Sequence, residues 1–340
     1  MSRIVVFGLD NIAVGEFKAK VNRGWVLLGN TGVSDGAMTT VDVPDTVIDQ
    51  PWLQPGRVVL VEDPPLPAWP GVLDTPWKAT LPAQLTLYNI EYLLSLRAVE
   101  RSVAVDGTVA DAIREMIRLA NEKQPLFIEL GTSINAQTPF PYVIEQGNLW
   151  DQMIKFLEES GHEMIIRHEL DARRQLHLYA DVGPGLGVST GFLLRDGPAG
   201  NMRVTDAIVN GVITNRAMGV SGESTEDDQL ISDVFEDVDS QKLYRLRSEV
   251  LQFRKVTALS VLNQYVETHV NYVKHPFIDL TVEAYRSTFG YLRQGNSTIV
   301  HASEIHLPGG VQGWRGSARI LAMSYDEDKD VALMTLRGRL

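Results

Sequence analysis

The chain contains no cysteine. That excludes a disulfide framework, a thiolate zinc centre and a cysteine nucleophile together. It also lacks any run of about 18 apolar residues, the length a membrane-crossing helix needs. Its opening stretch has too short an apolar run before Asp10 for a secretory leader. A basic surplus is missing too. There are 31 Lys and Arg against 43 Asp and Glu, so the electrostatic footprint of a nucleic-acid binder is absent. Eight of those acids lie between Ser221 and Ser240 with no base among them; without them 35 acids face 31 bases, a net of −4 instead of −12. The acidity is one segment on a nearly neutral body, and a charged mobile loop is the expected form of 221–240. What is present is ordinary for a globular chain: 340 residues, 44% hydrophobic and 22% charged, room for two or three domains with buried cores.

Short β-branched or apolar segments bounded by Gly, Asn and Pro predict strands through the first hundred residues. These are Gly24–Leu28, Met38–Val43, Arg57–Val61, Gly71–Leu73 and Gln84–Tyr88. Pro64, Pro65, Pro67 and Pro70 predict a loop, because proline offers no N–H to a ladder. That many short strands suggests a barrel or sandwich. The period then changes. Thr108-Val109-Ala110-Asp111 has the capping-box pattern, and Val109, Ala112, Ile113, Met116, Ile117 and Ala120 share a helical face before Pro125. A second helix starts at Asn148, carries Leu149, Trp150, Met153, Ile154 and Leu157, and ends at Gly161. Glu163–Leu170 and Gln175–Ala180 flank the turn Asp171–Arg174 as a hairpin. Strand signals return at Met202–Thr205, at Ala207–Ile213 and from Phe277 onward, with one helix striped by Ala258, Leu259, Leu262, Val266 and Val270 between them. Ser317–Ser324 and Asp330–Leu336 bracket the polar tip Asp326–Lys329. The expected fold class is mainly β with an α+β insert. Residues 1–100 form a first β domain, 101–182 a small α+β domain, and 183–340 a second β-rich domain with one helix and the acidic loop 221–240.

No motif rises to a catalytic, cofactor or metal site. Gly32-Val33-Ser34-Asp35-Gly36 matches a nucleophile elbow, but Met-Thr-Thr-Val-Asp-Val follows it and favours a strand where the elbow needs a helix. A glycine-rich hairpin turn explains it better. Gly183-Pro184-Gly185-Leu186-Gly187 precedes no helix, and its proline removes an amide a phosphate would use, so it reads as a flexible linker. Asp326, Asp328 and Asp330 open like a calcium loop, yet Val331 and Arg337 stand where that loop needs Gly and Glu. His162, His168 and His177, and His301 and His306, lack the spacing that puts two ligands on one helical turn. An enzyme such as a peptidoglycan hydrolase would need an acid pair or a metal, and neither is readable. Six tryptophans (Trp25, Trp52, Trp69, Trp77, Trp150, Trp314) leave open a carbohydrate- or receptor-binding module, with packing as their other explanation.

The order of these features resembles the baseplate hub, or tail-tip hub, of long-tailed bacteriophages and related injection systems. The likeness is carried by Gly71-Val72-Leu73-Asp74 followed by Leu85–Arg97, by the helix beginning Val109-Ala110-Asp111-Ala112-Ile113, and by Leu149-Trp150-Asp151-Gln152-Met153 leading into Glu163–Leu170. It continues through Phe192–Asp196 with Gly200-Asn201-Met202, Asn210–Ile213, the helix near 258–266, Leu292–Asn296 and Ser317–Asp326. Longer members of the family are often tail-associated lysozymes, and no such extension follows Leu340 here, so cell-wall cleavage is not expected of this chain.

The resemblance implies two tube-like antiparallel β-barrel domains plus a small peripheral α+β domain. It implies a homotrimer forming a ring of pseudo-sixfold symmetry that joins a sixfold tail tube to a threefold tip. The implied partners are the distal tail protein ring, the C-terminus of the tape-measure protein and a tip or fibre protein. DNA would pass only in transit during ejection, with no stable membrane insertion. The implied location is the virion, after assembly in the host cytoplasm, with no cofactor.

Overall fold

The structure, a computed structural model, describes the chain except residues 30–37, 79–82, 212, 223–228, 254–255, 257 and 308–310. Strands make up 49% and helices 18% of the described residues, so the mainly-β class with α+β parts holds.

Ser2–Phe7 (SRIVVF) and Arg57–Glu62 (RVVLVE) are apolar at consecutive positions. Successive strand side chains point to opposite faces, so an unbroken apolar run needs cover on both. The fold supplies it. Both strands sit inside a six-stranded antiparallel sheet ordered Ala13–Ala19, Ser2–Phe7, Arg57–Glu62, Trp69–Lys78, Gln84–Asn89, Met38–Asp42. Ile4, Val6, Val59 and Val61 belong to one core, while Val5, Phe7, Val58 and Leu60 belong to another. Pro70 lies inside a strand, opposite Leu60, so the proline-rich loop is shorter than expected and ends before Trp69.

A second sheet closes the first core. Its order is Ser189–Arg195, Ser297–Leu307, Val311–Asp326, Val331–Arg339, Phe277–Ala284, Met202–Asn210. Ile278, Leu280, Ile320, Met334 and Leu336 are its buried contribution. Each sheet ends in two edge strands among the described residues, so the tube-like β units are open half-barrels within one chain. Arg23–Val26 crosses from one to the other, pairing antiparallel with Val311–Asp326 so that Arg23 faces Tyr325 and Val26 faces Ala322. Leu28–Gly29 then pairs with Glu163–Leu170. Residues 23–29 therefore stitch all three layers together.

The second core is closed by the α+β part. Its helix Val109–Asn121 starts with a complete capping box: the Thr108 hydroxyl accepts from Asp111 N–H at 3.2 Å, and the Asp111 carboxylate accepts from Thr108 N–H at 3.0 Å. Asn148 caps helix Leu149–Ser160, and Gly161 ends it in the left-handed region at φ +67°. The hairpin Glu163–Leu170/Leu176–Gly183 turns at Asp171, as the sequence pattern requires. Thr108→Ala should cost about 1 kcal/mol of stability, read as a lower urea midpoint, and Thr108→Ser should restore most of it.

The excursion between Met202–Asn210 and Phe277–Ala284 departs from expectation. It contains a three-stranded sheet, ordered Phe235–Glu236, Arg216–Ser221, Ser248–Phe253, with the last two parallel. Helix Leu259–Val273 packs on it, and a Cβ on Gly219 would sit 2.6 Å from Val266 Cγ2, so glycine sets how close the helix comes. Leu262, Val266 and Val270 are buried, but Leu259 is 46% exposed and not part of the core stripe. Parallel strands need a crossover, and the acidic segment provides one. Asp237 caps helix Val238–Tyr244 through Ser240 N–H and pairs with Lys274 at 2.9 Å. Residues 229–240 are thus hydrogen-bonded into the fold, and 223–228 of the same segment lie outside the described residues. No helix among the described residues is long and apolar enough to cross a membrane.

Candidate functional site

The sequence motifs resolve into structural parts. The elbow-like Gly32–Gly36 lies outside the described residues. The glycine-rich segment 183–187 is pinned instead of flexible: Leu186 N–H donates to Glu163 at 3.0 Å, and its carbonyl accepts from Arg319 at 2.5 Å. Gly187, at φ +99°, touches the backbone of Gly295 so closely that a Cβ would overlap it. Close approach of two backbones is what these glycines permit. Asp326 accepts from the N–H groups of Asp328 and Lys329, making a hairpin turn with no ligand geometry.

The histidines do not converge. Among the described residues no group of three His, Asp or Glu side chains could hold a metal. His168 is held below its usual pKa by burial, and His177 lies 3.6 Å from Asp171. Trp25, Trp69 and Trp314 are buried, and Trp52, Trp77 and Trp150 pack partly against the two cores. A Cβ on Gly338 would run into the Trp314 ring. Packing accounts for the tryptophans.

Sequence reasoning missed the polar junction between the two half-barrels. Arg23 has a fully buried side chain that donates to Asp63 at 2.9 Å, Ser2 at 2.8 Å and the Val21 carbonyl at 3.3 Å, with Glu327 at 3.5 Å. Arg286 reaches the same Asp63 at 2.5 Å, and both guanidiniums lie over the Tyr325 ring. Glu327 belongs to the polar hairpin tip yet turns inward. Burial raises its pKa, but hydrogen bonds from Val21 N–H, the N-terminal ammonium and Ser2 outweigh that and hold it below the usual range. A second buried pair, Glu163 gripped by both terminal nitrogens of Arg319, ties the α+β hairpin to the long strand Val311–Asp326. No residue spacing marks these partners: Arg23 and Asp63 stand 40 positions apart, Glu163 and Arg319 156, and Ser2 and Glu327 325.

The junction links the two sheets, and each sheet keeps open edge strands among the described residues. On the second sheet, edge strand Met202–Asn210 exposes Ile208 and Val209, and the opposite edge strand Ser189–Arg195 exposes Leu193. An apolar strand edge with unpaired backbone groups is a surface suited to another chain. On the first sheet, edge strand Ala13–Ala19 instead carries Glu16, paired with Arg3 at 2.5 Å, a charge that blunts the edge.

No family model matches this chain, and no curated protein matches it in sequence. Solved structures do share its fold. Prophage tail protein gp18 from Listeria monocytogenes EGD-e aligns with a TM-score of 0.62 at 9% identity, over 99% of this chain and 94% of that one. The 43 kDa tail protein of prophage MuSo2 from Shewanella oneidensis aligns at 0.57 and 13% identity, over 98% of both chains. The fold is that of phage tail proteins. This tail-protein fold also extends to an E. coli component of the type VI secretion system, at a TM-score of 0.50 and 10% identity, over 99% of this chain and 76% of that one. At such identities the likeness is one of fold, and it runs the full length of this chain.

Proposed function

We propose that the chain is a structural hub of a phage tail tip or baseplate. Three copies form a ring that joins a sixfold tube to a threefold tip and lines the DNA path. In this reading 1–100 and 183–340 are the two tube-forming domains, and 101–182 is peripheral. The observation that carries it is the pair of half-barrel sheets sharing one core and stitched by Arg23–Val26. Three such chains offer six similar units, which is what matching sixfold to threefold symmetry requires. Each copy then meets the next through different surfaces, as closed rings of this kind do. The open apolar edges of the second sheet supply candidate surfaces. The implied partners are the distal tail protein, the tape-measure C-terminus and a tip or fibre protein, in a virion assembled in the host cytoplasm.

Light scattering after size exclusion tests this. With a chain of 37.8 kDa, a trimer weighs about 113 kDa, alone or after mixing with tail partners. A ring with a central hole in stained images is the expected result. A monomer or dimer that never trimerises with tail components would overturn the reading.

A further inference from the structure

The end of helix Leu149–Ser160 and one face of helix Leu259–Val273 meet across a crevice, where the α+β part adjoins the excursion from the second sheet. Its cavity is about 480 Å³, within the range of sites that hold small organic molecules, and seams between structural units are where such sites concentrate. Tyr265 makes an aromatic wall with its neighbours: its ring lies 5.4 Å from Phe140 and 5.6 Å from Phe253, centroid to centroid.

Two buried polar atoms on this crevice have no partner among the described residues. The first is the Tyr265 hydroxyl. The second is Nε2 of His162, a residue only 6% exposed. His162 Nδ1 lies 2.8 Å from the Ser160 carbonyl oxygen, which can only accept, so Nδ1 carries the hydrogen and Nε2 presents a lone pair. Buried polar atoms are nearly always hydrogen-bonded, so two orphans on one crevice point to a partner from outside the chain. That partner must bring a hydrogen to Nε2, which a carboxylate or a bare anion does not have.

The rest of the lining says what else it must bring. Asn135, Thr138, Gln252, Gln264 and Thr268 add neutral amides and hydroxyls. Amide N–H groups ask for acceptors, and an ammonium or guanidinium has none. The bases on the lining already have carboxylate partners: Arg319 is held by Glu163, and His269 lies 3.1 Å from Glu249. A hydroxyl both donates and accepts, so a molecule with several can serve Nε2, the Tyr265 oxygen and the amides together. The carboxylates of Glu158 and Glu159 can accept from the same hydroxyls whatever else they bind.

We propose that this crevice binds a neutral saccharide. One hydroxyl donates to His162 Nε2 and another pairs with the Tyr265 O–H, while the C–H face of the sugar ring lies along the aromatic wall. The amides of Asn135, Gln252 and Gln264 hold the remaining hydroxyls. A purely apolar molecule would leave both orphan atoms unpaired. The crevice lies within one chain, so its test is independent of whether the chain forms a ring.

The test is an NMR titration of the full chain that follows the His162 ring resonances. The probes are D-glucose, maltose and N-acetylglucosamine, beside D-glucosamine and D-glucuronate as charged counterparts. At least one neutral sugar is expected to bind with Kd below about 10 mM and to shift those resonances, with both charged sugars about 5-fold weaker or worse. Tyr265→Phe should weaken binding about 5-fold, as loss of one hydrogen bond does. Its Tm should be unchanged or raised, because the deleted hydroxyl has no partner in the free chain. Gln264→Ala, at an exposed position that folding does not depend on, should weaken binding by a similar factor. No binding by any neutral sugar, equal or tighter binding of a charged one, or indifference to both substitutions would overturn the proposal. Water alone on Nε2 and the Tyr265 oxygen, in crystals soaked with a sugar that binds, would place that sugar elsewhere and overturn it as well.

Discussion

Arg23→Ala is expected to lower the unfolding free energy by about 3 kcal/mol, measured as a fall in urea midpoint at unchanged m-value. The side chain is fully buried and is the common donor to Asp63, Ser2 and the Val21 carbonyl, with Glu327 beside it. Deleting one member of a buried ionic network strands the charges left behind, and that penalty generally runs to about 3–5 kcal/mol. The lower end applies here. Arg286 stays on Asp63, and Glu327 keeps Ser2 and Val21 N–H. Arg23→Lys should recover only part of the loss, because one ammonium cannot span the sites that a planar guanidinium reaches together. A loss below about 1 kcal/mol in the alanine variant would mean the junction does not hold the half-barrels together.

Glu91 gives the second large effect. It is buried where the first sheet passes into the α+β part, and its carboxyl forms no side-chain cap to helix Tyr92–Ser95. Burial raises its pKa from 4.5 to about 7, opposed only by its own backbone N–H. The folded state therefore holds this proton more tightly than the unfolded state. The stability it confers is complete below pH 4.5, falls as pH rises, and is gone above about pH 7. At 1.36 kcal/mol per pKa unit, the span amounts to about 3 kcal/mol. Glu91→Gln should match the wild type near pH 4 and exceed it by about that amount at pH 8. Urea titrations of both proteins at the two pH values measure the difference directly. A constant gap between them would show that Glu91 ionises no differently in the folded chain.

Much of the fold was legible because its signals are local. The Thr108–Asp111 box, the Asn148 and Gly161 caps and the Asp171 hairpin turn each use residues a few positions apart. Strands Ser2–Phe7 and Ala13–Ala19 escaped that reading. The first is apolar on both faces, so it shows no alternation, and the second is an edge with Glu16 and Lys18 outward. The acidic segment misled for a related reason. Its charges suggest a solvated loop, but Asp237 spends its carboxylate on a helix cap and on Lys274, partners that composition does not reveal. At the crevice, Phe140, His162, Phe253 and Tyr265 come from separate elements, and no spacing joins them.

The sequence by itself determined the class of the protein: β-rich, without cysteine chemistry, with helices placed by their caps and stripes, and in an order of elements that resembles tail hubs. Only the tertiary structure decided that Arg23–Val26 pairs with a strand some three hundred residues away, and that Glu163 answers Arg319. Local order follows from backbone hydrogen bonds and side-chain periodicity within one or two turns. Distant pairing follows from burial: once two sheets share a core, charges caught at their seam must find partners there or leave it.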